Sequence, residues 1–195
     1  MTITKSRFWS CVLFLLLGMA AYLTSAYVSD VFTVYYGTSE TIAAIEIAPV
    51  CEEIIKLLPV LLFLLIFKPS PKELPPAAMA VAAGFAILEY ICYLAEHSSE
   101  EGIFLVIHGI SAGALHILCG ILIGVGISYV FRYRWLMLTG SVGLLGACIG
   151  LHAIYDLLIT AGGAWKIAGY GFSLVLIAIL LAAKKLLPKV KSLLQ

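Results

Sequence analysis

The sequence predicts an all-α polytopic membrane protein with about six transmembrane helices and both termini in the cytoplasm. Hydrophobic residues make up 63% of its 195 residues, and charged residues make up only 12%. Soluble domains carry roughly 25% charged residues, so this chain is too apolar to cover a water-facing surface of its own size. The composition therefore nearly excludes soluble enzymes and disordered proteins. The net charge of +1 gives no reason to expect a nucleic-acid partner.

Long apolar stretches separated by short polar breaks place the spans. We expect helices near residues 10–28, 42–67, 77–95, 103–131, 135–159 and 167–187. The breaks between them are Ser29–Thr41, Lys68–Pro76, Glu96–Gly102, Arg132–Arg134 and Thr160–Lys166. The second break contains four prolines, which cannot continue a helix. The spans use the whole chain, 1–195, as a single transmembrane domain and leave no room for a separate soluble one.

The first apolar stretch also fits a secretory signal peptide. Lys5 and Arg7 precede it, and Thr24-Ser25-Ala26 is a weak cleavage site. A retained first span is favoured, because the stretch is long and the following loop already carries Asp30 on the predicted outside.

The basic residues orient the spans. With six alternating spans, ten of the twelve lysines and arginines fall on one side: Lys5, Arg7, Lys68, Lys72, Arg132, Arg134, Lys184, Lys185, Lys189 and Lys191. The other side carries Asp30, Glu40, Glu96, Glu100, Glu101 and the single base Lys166. Cytoplasmic loops of membrane proteins carry the excess of lysine and arginine, so both termini are predicted to be cytoplasmic.

Ionisable residues also fall inside the predicted spans, where they are expensive. They are Glu46, Glu52, Glu53, Lys56, Glu89 and Asp156, together with His108, His116 and His152. A charge near the middle of a spanning helix costs roughly 2.5–3.5 kcal/mol on insertion scales. We therefore expect these side chains to face the protein interior and one another.

Their spacing is that of helix neighbours. Either Glu52 or Glu53 can reach Lys56, three or four residues further on, and His152 and Asp156 are one turn apart. Glu46, Pro49, Glu53 and Lys56 follow a three–four–three step along one predicted stripe. Pro49 and Pro59 should bend this helix, and Asp156 can orient the imidazole of His152.

Four spans contribute to one layer of the membrane. A rise of ~1.5 Å per residue places Glu52, Glu89, His116 and His152 at a depth of roughly 9–20 Å from the outer surface. Taken singly, these residues also fit a structural ion pair, a protonated buried acid or interhelical hydrogen-bond donors. Their joint occurrence favours a functional site. His108 lies near the outer end and is expected to be a structural donor.

The five cysteines also lie in the predicted spans: Cys11, Cys51, Cys92, Cys119 and Cys148. All but the first are near the candidate site. A Cys/His metal site is conceivable, but close packing of small residues is the favoured interpretation, since Ala and Gly populate the same faces.

The motifs resemble those of the PrsW family of intramembrane proteases, which is related to the CAAX prenyl endopeptidase and bacteriocin-processing proteases. Residues 52–56 form E-E-x-x-K, residues 84–89 form G-F-x-x-x-E, His116 lies on a separate span, and residues 152–156 form H-x-x-x-D. The relatives typically have E-E-x-x-x-R and F-x-x-x-H. Here Lys56 replaces the arginine and Glu89 replaces the histidine, which points to the PrsW branch. The resemblance covers about half of the chain and sets residues 42–159 as the candidate catalytic core.

This resemblance implies hydrolysis of a peptide bond within the membrane. The substrate would be a single-span membrane protein or peptide, such as a membrane-anchored anti-sigma factor cleaved on the extracytoplasmic side. The lipid bilayer is then the other partner, and the cell membrane of a prokaryote is the expected location.

The expected catalytic residues are Glu52, Glu53, Lys56, Glu89, His116, His152 and Asp156. Either Glu52 or Glu53 would act as general base. Glu89, His116 and His152 would form a two-histidine, one-carboxylate zinc site with Asp156 behind His152. Without metal, Glu89 would be a second acid of a glutamate-type protease. The sequence leaves both mechanisms open.

Two competing classes use the same residues differently. A proton-coupled transporter or channel would relay protons along Glu52, Glu89 and Asp156, although the chain is short and has no inverted repeat. A non-catalytic binding or immunity protein would not need the complete set of site residues that this chain has.

Overall fold

The computed structural model describes residues 3–98, 101–133 and 135–193, so Glu100 and Arg134 lie outside the described residues. Within these ranges the chain is all-helical, with no strand. The helices are α1 (Ile3–Tyr36), α2 (Glu40–Ile42), α3 (Ala48–Leu62), α4 (Leu74–Glu96), α5 (Gly102–Val130), α6 (Met137–Ala161) and α7 (Gly163–Leu193), with π-helical segments π1 (Ala43–Ile47) and π2 (Phe63–Phe67) on either side of α3.

In the described part of the chain, five helices are long and apolar enough to cross a membrane: Phe8–Tyr36, Leu74–Glu96, Gly102–Val130, Met137–Ala161 and Gly163–Ala182. They confirm an all-α membrane protein. The sixth predicted span, 42–67, is helical throughout but consists of π1, α3 and π2. It is interrupted and carries four charged residues, and it does not belong to this set of five.

Two predicted breaks are too long: of Thr160–Lys166 only Gly162, which has a positive φ, lies outside α6 and α7, and Ser29–Thr41 is mostly helical. The segment Ser29–Thr41 is not a loop, because α1 continues to Tyr36. Residues 29–36 contain no glycine or proline that would end a helix. The turn comes at Gly37, whose positive φ of 61° suits glycine. Ser39 then caps α2 by accepting a hydrogen bond from the backbone N–H of Ile42 at 3.3 Å.

The π-helical segment before α3 changes which residues share a face. Pro49, in the first turn of α3, has no N–H to donate to the preceding turn, and π1 lies immediately before it. Pro49, Glu53 and Lys56 are buried on one stripe as predicted. Glu46 is exposed, so its predicted place on that stripe is wrong. The wider turn of π1 rotates Glu46 away from the face that α3 buries.

Glycines allow the closest helix contacts. α1 packs mainly on α4, and α4 packs on α5. A Cβ added at Gly18 would overlap the carbonyl oxygen of Val81, and one at Gly84 would overlap that of Leu15. The backbones of α1 and α4 therefore touch directly on the turn before Glu89, which fixes the position of α4 relative to α1. α5, α6 and α7 pack against each other, and α3 contacts α4 and α6.

The contact at Gly84 predicts that a glycine-to-alanine substitution changes the free energy of unfolding differently at Gly84 and at Gly113. Gly84→Ala places a methyl group against the Leu15 backbone and should lower the free energy of unfolding by about 1–3 kcal/mol. Gly113→Ala on α5 has no atom within 4 Å of the added Cβ and should leave stability unchanged or raise it by up to about 1 kcal/mol. Denaturant unfolding in detergent micelles measures both. Equal effects would contradict the close contact.

Candidate active site

A buried ion pair on α3 forms the centre of the site. Lys56 Nζ lies 2.6 Å from Glu53 Oε1, one turn back on the same helix. The side chain of Glu53 is 3% exposed and that of Lys56 is 7% exposed. Lys56 Nζ also lies 4.4 Å from the ring centroid of Phe85 on α4, a favourable cation–π position. The predicted Glu–Lys pair therefore involves Glu53 rather than Glu52.

Lys56 connects α3 to α5 and α4 through His116. Its Nζ is 2.8 Å from His116 Nδ1. An ammonium group can only donate, so Nδ1 accepts and the ring proton lies on Nε2. Nε2 in turn donates to Glu89 Oε2 on α4. Both nitrogens of His116, a residue only 1% exposed, are thus engaged, and Glu89 is bound to the imidazole.

His152 on α6 completes the cluster. Its Nδ1 is 3.0 Å from Glu53 Oε1, so the carboxylate that pairs with Lys56 also accepts from His152. Its Nε2 lies 3.6 Å from Glu52 Oε2 and 3.5 Å from Asp156 Oδ2. The ring centroids of His116 and His152 are 5.0 Å apart. Glu53, not Asp156, makes the contact that fixes the tautomer of His152.

The contacts around His152 Nε2 leave a place for a cation. With Nδ1 donating to Glu53, Nε2 of a neutral ring carries a lone pair. Two carboxylates face this lone pair at distances too long for good hydrogen bonds. Glu52 Oε2 is buried and has no hydrogen-bond partner. Three acceptors that face one another need a proton or a metal ion between them.

The donor set fits a metal ion. Glu52, His116 and His152 each offer a ligand atom, and these atoms lie within 4.8 Å of one another. Two histidines and a carboxylate are a common catalytic zinc set. His116 can join it in two ways, since a neutral imidazole has one free nitrogen: Nδ1 binds the ion if Lys56 is displaced, or Nε2 binds it if the ring proton moves to Nδ1. The proton shift would break the hydrogen bonds of His116 to Glu89 and to Lys56, and Lys56 would then be paired with Glu53 alone.

The structure brings together all seven site residues predicted from the sequence: Glu52, Glu53, Lys56, Glu89, His116, His152 and Asp156. Two other ionisable residues lie elsewhere. Glu46 is exposed, and His108 stacks on Tyr93 with ring centroids 3.8 Å apart. Phe85, which contacts both Lys56 and His116, is not among the residues predicted for the site. Its position one turn before Glu89 is the signal that could have identified it.

Residues 6–183 match the family described as PrsW family intramembrane metalloprotease. No curated protein and no solved structure is detectably similar to the chain. The match covers most of the sequence, so the chain belongs to the PrsW family. It is an integral membrane protein and a peptidase acting on a membrane protein substrate, which favours the protease over the transporter alternative.

The central ion pair predicts a non-additive stability effect. Lys56→Met leaves the Glu53 carboxylate buried without its cation and should lower the free energy of unfolding by about 3–5 kcal/mol. Glu53→Gln leaves the ammonium without its carboxylate and should also destabilise the protein. The double variant removes both charges and should cost less than the sum of the two. Unfolding of all four proteins in the same micelles completes the cycle, and strict additivity would contradict the pair.

Proposed function

We propose that this protein hydrolyses a peptide bond in a single-span membrane protein, using a zinc ion held by Glu52, His116 and His152. The observation that carries the proposal is the buried, unpartnered Oε2 of Glu52 beside His152 Nε2. The family's metalloprotease description supports it. A zinc ion in such a site supplies Lewis-acid activation of water and of the substrate carbonyl.

We assign the proton-transfer role to Glu89. Either Glu52 or Glu53 was the expected base from the sequence. Glu53 is already bound by Lys56 and His152, so its carboxylate orients those two groups and is not available to the substrate. Glu89, with 24% of its side chain exposed, is the most accessible carboxylate of the cluster. Its Oε2 accepts from His116 Nε2 in the structure, so in the proposed mechanism the proton shift on His116 frees Oε2 to accept a proton from water and return it to the leaving amine.

The remaining residues hold this arrangement in place. Glu53 accepts from His152 Nδ1 and thereby keeps Nε2 free. Lys56 keeps Glu53 ionised by pairing with it. Asp156 Oδ2 faces His152 Nε2 at 3.5 Å and adds negative charge at the cation position. We therefore describe Glu53, Lys56 and Asp156 as positioning residues.

We propose six spans with both termini in the cytoplasm. The segment 40–67, second along the chain, would cross the membrane in addition to the five apolar helices. Glu89 lies seven residues before the end of α4, and His152 lies nine before the end of α6. Both are about 10–14 Å along the helix from the helix ends on the side that carries few lysines and arginines. The positive-inside pattern therefore supports a site in the outer half of the membrane. We propose the cell membrane of a prokaryote, and a regulator such as an anti-sigma factor as substrate.

Two conservative amide substitutions separate the ligand from the base. Glu52→Gln should lose zinc, because an amide is a poor zinc ligand, and it should lose cleavage as a consequence. Glu89→Gln should retain zinc at the wild-type level and still lose cleavage, by roughly 10²–10⁴-fold for a missing general base. Metal analysis of the purified proteins and cleavage of a reconstituted membrane substrate are the two measurements.

The opposite pattern, with zinc lost from Glu89→Gln and kept by Glu52→Gln, would restore Glu89, His116 and His152 as the ligand set. A wild-type protein that stays active in chelator and contains no zinc would refute the metal mechanism. Comparison of membrane proteomes from cells with wild-type and Glu89→Gln protein should reveal the substrate as a single-span protein cleaved only by the wild type.

The orientation predicts the location of fused reporters. A fluorescent protein that folds only in the cytoplasm should fluoresce when fused after Gln195 or after Lys72. The same fusion after His97, on the acidic side, should stay dark. Fluorescence after His97, or none after Gln195, would contradict cytoplasmic termini.

A further inference from the structure

A second group of metal-ligand side chains lies beside Glu53. Cys119 on α5 is three residues after His116, and Cys148 on α6 is four residues before His152. The two sulfur atoms and a carboxylate oxygen of Glu53 lie within 4.8 Å of one another. All three residues are buried, with exposures of 2%, 0% and 3%. Three different helices therefore direct two thiols and a carboxylate to one point.

The two thiols face the protein interior. Cys148 Sγ donates to the backbone carbonyl of Cys119 at 3.8 Å, so the thiols lie in the contact between α5 and α6. A cavity of about 20 Å³ is bordered by Glu53 and Cys119, and also by Lys56 and His116. This volume is enough for one water molecule. The cavity gives Glu53 and Cys119 a shared space that Cys148 does not border.

The donor set selects a soft divalent cation. Thiolates favour zinc and similar soft ions over magnesium or calcium. A tetrahedral ion with Zn–S bonds of ~2.3 Å needs donor atoms roughly 3.7 Å apart. The three donors already lie within 4.8 Å of one another, so shifts of about 1 Å would close the site.

Charge balance supports the same ion. Two thiolates and the Glu53 carboxylate carry three negative charges. A divalent cation and the ammonium of Lys56, 2.6 Å from Glu53 Oε1, carry three positive charges. Within these five groups the charges cancel, which lowers the cost of holding the ion in a low-dielectric interior.

We propose that Cys119, Cys148 and Glu53 form a second, thiolate-containing metal site, separate from Glu52, His116 and His152, and that a soft divalent cation there inhibits the enzyme. Inhibition follows because the ion engages the carboxylate that orients Lys56 and His152. The inhibitory effect rests on the proposed protease function, whereas binding of the ion does not.

Cadmium binding to the full-length protein in detergent tests the site directly. With a phosphine reductant and zinc already loaded, Cd²⁺ should produce the ultraviolet thiolate-to-cadmium charge-transfer band. Cys119→Ser and Cys148→Ser should each weaken this binding by about tenfold or more, since even outer partners of a metal site are worth roughly 10–100-fold in affinity. The matched variants Cys11→Ser and Cys92→Ser should keep the band, and so should Glu52→Gln.

X-ray absorption at the cadmium edge gives a result that needs no variant. The loaded wild-type protein should show two sulfur ligands together with oxygen. A band absent from folded wild-type protein, a band that survives the Cys119→Ser/Cys148→Ser double variant, or a spectrum without two sulfurs would overturn the site. None of these readings depends on proteolysis.

The inhibitory effect is measured separately on cleavage. The Cd²⁺ concentration that half-inhibits cleavage should be about tenfold or more higher for the double cysteine variant than for the wild type. Equal sensitivity of the two proteins would overturn inhibition through this site. A wild type that binds cadmium through two sulfurs but cleaves nothing would leave the site standing and would count against the proposed function.

Discussion

The buried ammonium of Lys56 is the constraint on which the site depends. A lysine within an apolar helix bundle costs several kcal/mol unless it is paired and hydrogen-bonded. Here the compensation comes from Glu53 on its own helix, His116 on α5 and the ring of Phe85 on α4. Satisfying one charge therefore fixes the relative rotation of three helices. His152, bound to the same oxygen of Glu53, adds α6 to the arrangement.

The two adjacent glutamates divide the work because a helix turns about 100° per residue. This rotation points Glu53 at Lys56 and leaves Glu52 facing His152 Nε2. Oε1 of Glu53 is bound by both Lys56 and His152, and the side chain is nearly fully buried, which suits a residue that positions those two groups. Glu52 has an unsatisfied oxygen, which suits a ligand. Under the proposed function, the E-E-x-x-K motif would combine one positioning carboxylate and one metal-ligand carboxylate.

Five of the spans and the closeness of the seven ionisable residues could be predicted from the sequence, but the pairing among those residues could not. Membrane-depth charges at helical spacing identified all seven residues, because each is expensive unless it joins the others. The pairings of Lys56 with His116 and of His152 with Glu53 depend on helix rotations set by packing, including the backbone contact at Gly84. The predicted place of Glu46 on the buried stripe is wrong because a π-helical turn breaks the regular helical period. The predicted loop at Ser29–Thr41 is wrong because its polar residues do not end α1.

The charge of the cluster links metal binding to protons. Glu52, Glu53, Glu89 and Asp156 contribute four potential negative charges, and Lys56 contributes one positive charge. With neutral histidines the fully ionised cluster would carry an excess of three negative charges in a low-dielectric interior, which is untenable without compensation. A divalent cation removes two of them, and protons on the carboxylates or on His152 can do the same. Zinc and protons therefore compete for the same lone pairs, and the ion is favoured only where His152 Nε2 and Glu52 Oε2 are both unprotonated. Glu53 binds Lys56 and His152 and lies near the two cysteines. If both proposed metal ions bind, each would therefore change the affinity for the other through Glu53.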